Sequence, residues 1–237
     1  MTDARNVYAV YIDIGSSQCQ HQVMPETRDA YHHGDLRNAL VASAVRLIEA
    51  GGPSTFSLRG AAREVGVSAN AAYRHFDDKS ALITAVAADG FARLAERMRR
   101  AMASASAGLG DELVAIARLK AASGAYVGFA ADHPEIYRVM FGECGAECRN
   151  TGPGDQEVET PWTLLGRALD ALVTDGFLRP DRRVGAELKV WTVVHGFASL
   201  SLDGLVAAPT QRERKAALEA LLDFTVVGLC GELPTAR

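Results

Sequence analysis

Ser57 to Phe76 reads SLRGAAREVGVSANAAYRHF, and the fold turns on this stretch. Ser57 is placed to cap a short helix, Leu58 to Val65, which Gly66 ends. Ser68 caps a second short helix, Ala69 to about Arg74. Gly66 permits the positive φ that a tight helix-to-helix turn needs. Small Ala61 and Ala62 let the second helix approach closely, and Leu58, Val65, Val67, Ala72 and Phe76 supply inward contacts. This is the sequence form of a helix-turn-helix, whose second helix enters the DNA major groove. Ala69, Asn70 and Ala71 would then face base edges, where Asn can pair with adenine through two hydrogen bonds. Tyr73 and His75 can donate to phosphates, Arg74 and Lys79 add charge, and backbone amides near Ser57 and Ser68 attract anions. The pattern alone also fits two short amphipathic helices joined by glycine inside any bundle.

Helices dominate on either side of this stretch. Upstream, Asp35 is expected to cap a helix with Leu36, Leu40, Val41, Ala44, Leu47 and Ile48 on one face, stopped by Gly51-Gly52-Pro53. Downstream, Asp77-Asp78 opens a helix carrying Leu82, Val86, Phe91, Leu94 and Met98 on one face and Arg97, Arg99 and Arg100 near its end. Ala103 to Gly110, rich in Ala, Ser and Gly, reads as a hinge. Helices are then expected from about Asp111 to Ala131, His133 to Phe141, Pro161 to about Asp175, Asp181 to about Leu205, and Pro209 or Thr210 to Leu229. Gly142 to Thr160 reads as a loop. Strand signals are almost absent, so the chain is expected to be all-α. The organisation expected is an extension over 1–27, a three-helix helix-turn-helix domain over 28–77, a connecting helix over 78–103, and a helical bundle over 104–237. The extension lacks a helical period; Val7 to Ile12 could form one strand, but without a partner.

Composition fits a globular chain of 237 residues with 48% apolar and 23% charged residues. Lys and Arg number 25 against 29 Asp and Glu, so the whole chain is neither a polybasic nucleic-acid binder nor an acidic tail. Charge is uneven: residues 28–103 hold eleven basic and eight acidic residues, whereas 104–237 hold thirteen and eighteen. A basic segment upstream of an acidic one suits contact with a polyanion through the first part. No uninterrupted apolar run reaches the roughly 18 residues of a membrane span, and no charged-then-apolar leader opens the sequence. The expected location is cytoplasmic, with no membrane partner.

The stretch from Tyr31 to about Met98 resembles the N-terminal domain of the tetracycline-repressor (TetR) family of bacterial transcription regulators. The matching pieces are YHHGDLRNALVASAVRLIEAGG and SLRGAAREVGVSANAAYRHFDDKSALITAVA. The family pattern is carried by Ser57, Arg59, Ala62, Gly66, Val67, Ser68, Tyr73, His75, Phe76, Lys79 and Leu82. The second half resembles a branch whose ligand domain carries a Trp-His-Gly signature, here WTVVHGFASLSLDG with Trp191, His195 and Gly196; YVGFAADHPEIYRVMF also fits it. Residues 1–27 fall outside the resemblance. It implies that 104–237 is the ligand-binding and dimerisation domain, and that the chain is a homodimeric repressor, released from a palindromic operator by a small-molecule effector, that dimerises through its last two helices. The DNA-contacting positions it implies are Ser57, Arg59, Ser68, Ala69, Asn70, Ala71, Tyr73, Arg74, His75 and Lys79.

Read apart from the resemblance, the residues allow this independently. The 184–206 segment is apolar nearly all round, so it must be buried on several sides. Effector candidates are Tyr126, Phe129, Met140, Phe141, Trp162, Leu165 and Trp191, with His195 one helical turn from Trp191; most also serve as ordinary core, and the ligand suited to them is small and apolar. Cys144-Gly-Ala-Glu-Cys148 has zinc-like spacing but no second pair, and Cys19-x-His21 is equally thin, so no metal or cofactor is expected. No nucleophile–base set or phosphate-binding loop appears, which argues against the alternative of a small all-α enzyme. A helical interaction protein without DNA binding is the other alternative.

Overall fold

A computed structural model describes residues 28–105, 111–142, 159–206, 208 and 210–231. The 1–27 extension, Cys19, Cys144, Cys148 and most of the 142–160 loop lie outside the described residues. The described residues form α-helices and one short 3-10 turn, with no strand among them. In chain order the helices are α1 (Arg28–Gly51), α2 (Leu58–Val65), α3 (Ala69–Tyr73), α4 (Lys79–Ser104), α5 (Asp111–Asp132), α6 (Pro134–Phe141), α7 (Pro161–Thr174), α8 (Ala186–Leu202) and α9 (Gln211–Cys230). The all-α expectation holds.

Two helix starts differ from expectation. Asp35 does not cap the first helix, which begins seven residues earlier at Arg28. No proline interrupts Arg28 to His33, and Gly34 costs only about 1 kcal/mol inside a helix, so the helix continues through it. Asp181 does not open the long helix either. Pro180–Arg182 forms a 3-10 turn, Gly185 adopts φ 72°, and α8 starts at Ala186. A left-handed residue ends one helical path and starts another, whatever apolar pattern runs across it.

The chain divides into two compact units, 1–90 with 135–156, and 91–134 with 157–237. In the first, α1 packs on α2 and α2 on α3. Leu40, Val41, Ala44, Val45 and Ile48 of α1 are buried with Leu58, Ala61, Ala62, Ala72, Phe76, Leu82 and Val86. These side chains recur at three- and four-residue spacing, and full burial of each Leu or Ile contributes about 1.5–3 kcal/mol. The buried Ser43 hydroxyl donates to the Ala61 carbonyl at 3.3 Å. α6 meets α4 at Gly90, where an added Cβ would stand 2.7 Å from Met140 Sδ and 3.0 Å from Ile136 Cγ2.

In the second unit α5 packs against α7, α8 and α9. Residues 113–132 are apolar enough by length and composition to cross a bilayer, with mean hydropathy 1.3. Their surroundings give another reason for that character: Ala115, Ile116, Leu119, Ala122, Tyr126, Phe129 and Ala130 form the bundle core. Lys120 on α5 pairs with Asp223 and with Glu219 at 3.7 Å on α9. Reciprocal capping boxes start α7, between Thr160 and Thr163, and α9, between Thr210 and Glu213. The last turn of α5 is held by α4: Arg97 pairs with Asp132 at 2.8 Å, and the Arg93 guanidinium lies 3.2 Å from His133 Nε2.

Burial of α8 is one-sided. Ala186, Val190, Val194, Phe197 and Ala198 are buried, whereas Leu188 and Leu200 are exposed and Val184, before its start, is 73% exposed. The expectation of burial on several sides is not met within one chain. The same holds for α9, where Leu218, Leu222, Val226 and Leu229 face inward and Leu221, Phe224 and Val227 outward, Phe224 at 73% exposure.

Candidate nucleic-acid interface

The α2–α3 pair is built from local signals. Ser57 has extended backbone, and its Oγ accepts the Gly60 N–H at 3.0 Å. Ser68 Oγ likewise accepts the Ala71 N–H at 3.2 Å. Each cap satisfies an amide that helix geometry leaves unpaired. At the turn Gly66 has φ 82°, and the Val67 N–H returns to the Ala62 carbonyl at 2.9 Å. That six-to-one bond closes α2 in the manner glycine allows. Leu58, Ala72 and Phe76 are buried as expected, whereas Val65 and Val67 are half-buried at the turn.

With those residues turned inward, the others are presented outward. Arg59 on α2, and Asn70, Tyr73 and Arg74 on or just after α3, are exposed; Ala69, Ala71, His75 and Lys79 are half-buried. Tyr73 is 42% exposed, a large aromatic ring left on the surface. Arg59, Arg63, Arg74 and Lys79 pair with no described carboxylate. By contrast Arg46 on α1 is bound to Glu64, bonds of 2.7 Å that hold the Glu64 carboxyl below its ordinary range. Lys79 stands 5.7 Å from the Phe56 ring centroid, and Arg37 5.0 Å from that of Phe76. An aromatic face steadies a cation through its quadrupole without neutralising it. Phe56 and Arg37 carry no motif signal. A single aromatic before a capping serine, and a single arginine on the first helix, are indistinguishable from ordinary core and surface until the fold joins them.

Among the effector candidates, Tyr126, Trp162, Trp191 and His195 come together in the second unit. The Tyr126 hydroxyl lies 2.8 Å from His195 Nδ1. Trp191 stacks on His195, with 12° between the planes. The Trp191 ring meets those of Tyr126 at 5.2 Å and Trp162 at 5.8 Å, edge to face. Tyr126 is buried, Trp191 and His195 are half-buried, and Trp162 is 41% exposed. The cluster therefore runs from core to surface. Leu165 is buried on α7. Phe129 is buried one turn away against His133, at 5.0 Å. Met140 and Phe141 lie on α6 in the first unit, Met140 over Gly90 and Phe141 against Tyr137 at 4.8 Å.

Two family models match the chain. Residues 40–86 match the tetR family of bacterial regulatory proteins, and residues 119–225 match the tetracyclin repressor-like C-terminal domain. A Rhodococcus sp. RHA1 protein of unknown function has a similar structure at 30% identity and TM-score 0.66, over 84% of this chain and 98% of that one. A TetR family transcription regulator from Marinobacter aquaeolei is similar at 17% identity and TM-score 0.53, over 83% and 97%. The TetR family transcriptional regulator PfmR from Thermus thermophilus is similar at 15% and 0.54, over 90% and 100%. A search of the curated proteins finds no match. With a helix-turn-helix that leaves its cations open and a helical second unit that matches its own family model, the chain belongs to the TetR family, whose members are DNA-binding transcription regulators rather than enzymes.

Proposed function

We propose that this regulator is a cytoplasmic homodimeric repressor, which binds a palindromic operator through α3 and leaves it when a small apolar effector binds. The observation that carries the proposal is the open side of the α2–α3 pair, where Arg59, Asn70, Tyr73 and Arg74 are exposed and the arginines have no described carboxylate partner. In this reading Asn70, with Ala69 and Ala71, meets base edges. Ser57, Arg59, Ser68, Tyr73, Arg74, His75 and Lys79 hold the phosphates. Ser57 and Ser68 spend an oxygen lone pair on their caps and keep a hydroxyl proton to donate.

Dimerisation is supported by the uncovered apolar residues of α8 and α9, of which Leu221, Phe224 and Val227 recur every three residues along α9. A second copy would cover this face through the same face of its own. It would set two recognition helices about 34–36 Å apart, one turn of DNA. In the functional division we propose, residues 28–77 bind DNA, 78–103 connect, and 104–237 bind effector and partner. The Tyr126–Trp162–Trp191–His195 cluster supports the effector site: three aromatic rings offer apolar surface and one imidazole a polar handle. An effector that prefers the wrongly spaced dimer by about 1–3 kcal/mol, the typical coupling, would weaken DNA binding by roughly 5–150-fold.

The test is a titration of duplex DNA from upstream of the protein's own gene, at several salt concentrations and with excess nonspecific DNA. Tyr73→Ala and Lys79→Ala should weaken binding to all sequences. Asn70→Ala should relax base preference at one position per half-site, by about 1–3 kcal/mol. Unchanged affinity in all three variants would remove α3 from the groove.

A further inference from the structure

We propose that Arg37, on α1 and outside the α2–α3 pair, is a further phosphate-positioning residue of the operator interface; this rests on the reading of α2–α3 as the DNA-facing pair. The Arg37 guanidinium carbon lies 5.0 Å from the centroid of the Phe76 ring. Phe76 is 3% exposed, directly follows Tyr73-Arg74-His75, and stands three residues before Lys79. Arg37 is exposed, so its charge is held at the surface of the corner between α3 and α4.

That corner already carries Arg74 and Lys79, with Asp77 and Asp78 next to them in sequence. Asp78 caps α4, its Oδ1 accepting the Ala81 N–H at 2.8 Å, so it cannot be dispensed with. Arg37 adds a further cation to this corner from about forty residues upstream in sequence. How it is held matters equally. Arg37 pairs with no described carboxylate, whereas Arg46 on the same helix is neutralised by Glu64. Resting on an aromatic ring leaves the charge of Arg37 intact and its five N–H donors available for a phosphate.

Arg37→Met keeps an apolar stem against Phe76 and removes the charge. In the salt titration with the upstream duplex, the slope of log K against log salt should fall by roughly 0.9 per lost phosphate contact, hence about 1.8 for a dimer. Affinity for the upstream duplex and for bulk genomic DNA should fall by similar factors, while the thermal midpoint stays put. Arg37→Lys should restore most of the slope. If Arg37→Met folds poorly, the comparison passes to Arg37→Gln against Arg37→Lys, and only the glutamine variant should lose slope. An unchanged slope in the neutral variants, with Tyr73→Ala still weakening binding, would make Arg37 a packing residue for Phe76 and overturn the proposal alone. Unchanged binding in the Arg37 and Tyr73 variants alike would overturn the DNA-facing reading itself.

Discussion

Replacing Gly66 by alanine isolates the contribution of one backbone angle to the recognition element. Gly66 has φ 82° and ψ 24°, and a Cβ built on it meets nothing within 4 Å. The substitution therefore brings no collision, only the left-handed conformation imposed on an L-residue, which costs about 1–2 kcal/mol. The stiffer unfolded chain returns about 0.4–1 kcal/mol of this. The net loss is about 1 kcal/mol, a fall of about 2–4 °C in thermal midpoint for a chain of this size. Gly124 on α5 provides the opposite case: it is helical, and a Cβ there also meets nothing within 4 Å. Gly124→Ala should stabilise by about 0.5–1 kcal/mol. Urea unfolding followed by circular dichroism at α-helical wavelengths measures both, with Gly66→Asn expected to lie nearer the parent than Gly66→Ala because Asn tolerates the left-handed region. Equal stability of parent and Gly66→Ala would mean that the turn does not hold this conformation, and the cap assigned to α2 would fall with it.

Phe224→Lys should convert the proposed dimer to monomer, read as mass by native mass spectrometry; a dimer surviving in that variant would place its interface elsewhere. Gly90→Ala should destabilise by about 1–3 kcal/mol because its Cβ runs into Met140 and Ile136, and Met140→Ala added to it should cost less than the sum of the two single changes. Ser57→Ala and Ser68→Ala should each cost about 0.5–2 kcal/mol through the lost caps, measured by the same urea titration. Arg99, and then Arg100, hold the Glu96 carboxyl down from an ordinary 4.5 to about 2. Its stabilising contribution is therefore present above about pH 4.5 and lost as pH falls through about 2; carboxyl NMR should give that midpoint, and Arg99→Ala with Arg100→Ala should raise it.

Information about this protein divides by the range of the interaction that carries it. Ser57, Gly66 and Ser68 act over three to five residues, through a hydroxyl reaching an amide or a backbone angle open to glycine. Their effect is therefore legible in the sequence, and with it the helix-turn-helix, the all-α class and the outward position of Asn70, Tyr73 and Arg74. Short-range rules also mislead where they compete. Asp35 could cap a helix, but a helix that can propagate from Arg28 overrides a single capping side chain; Gly185 cuts an apolar pattern that runs on from Val184. Juxtapositions of distant residues come only from the packing of helices: Arg37 over Phe76, Lys79 over Phe56, Tyr126 against His195 across 69 positions of sequence. The same holds for the outward face of α9, since hydropathy records that Phe224 is apolar and not which neighbour covers it. A contact between residues far apart depends on how whole helices pack, and no residue pattern within one helix records that choice.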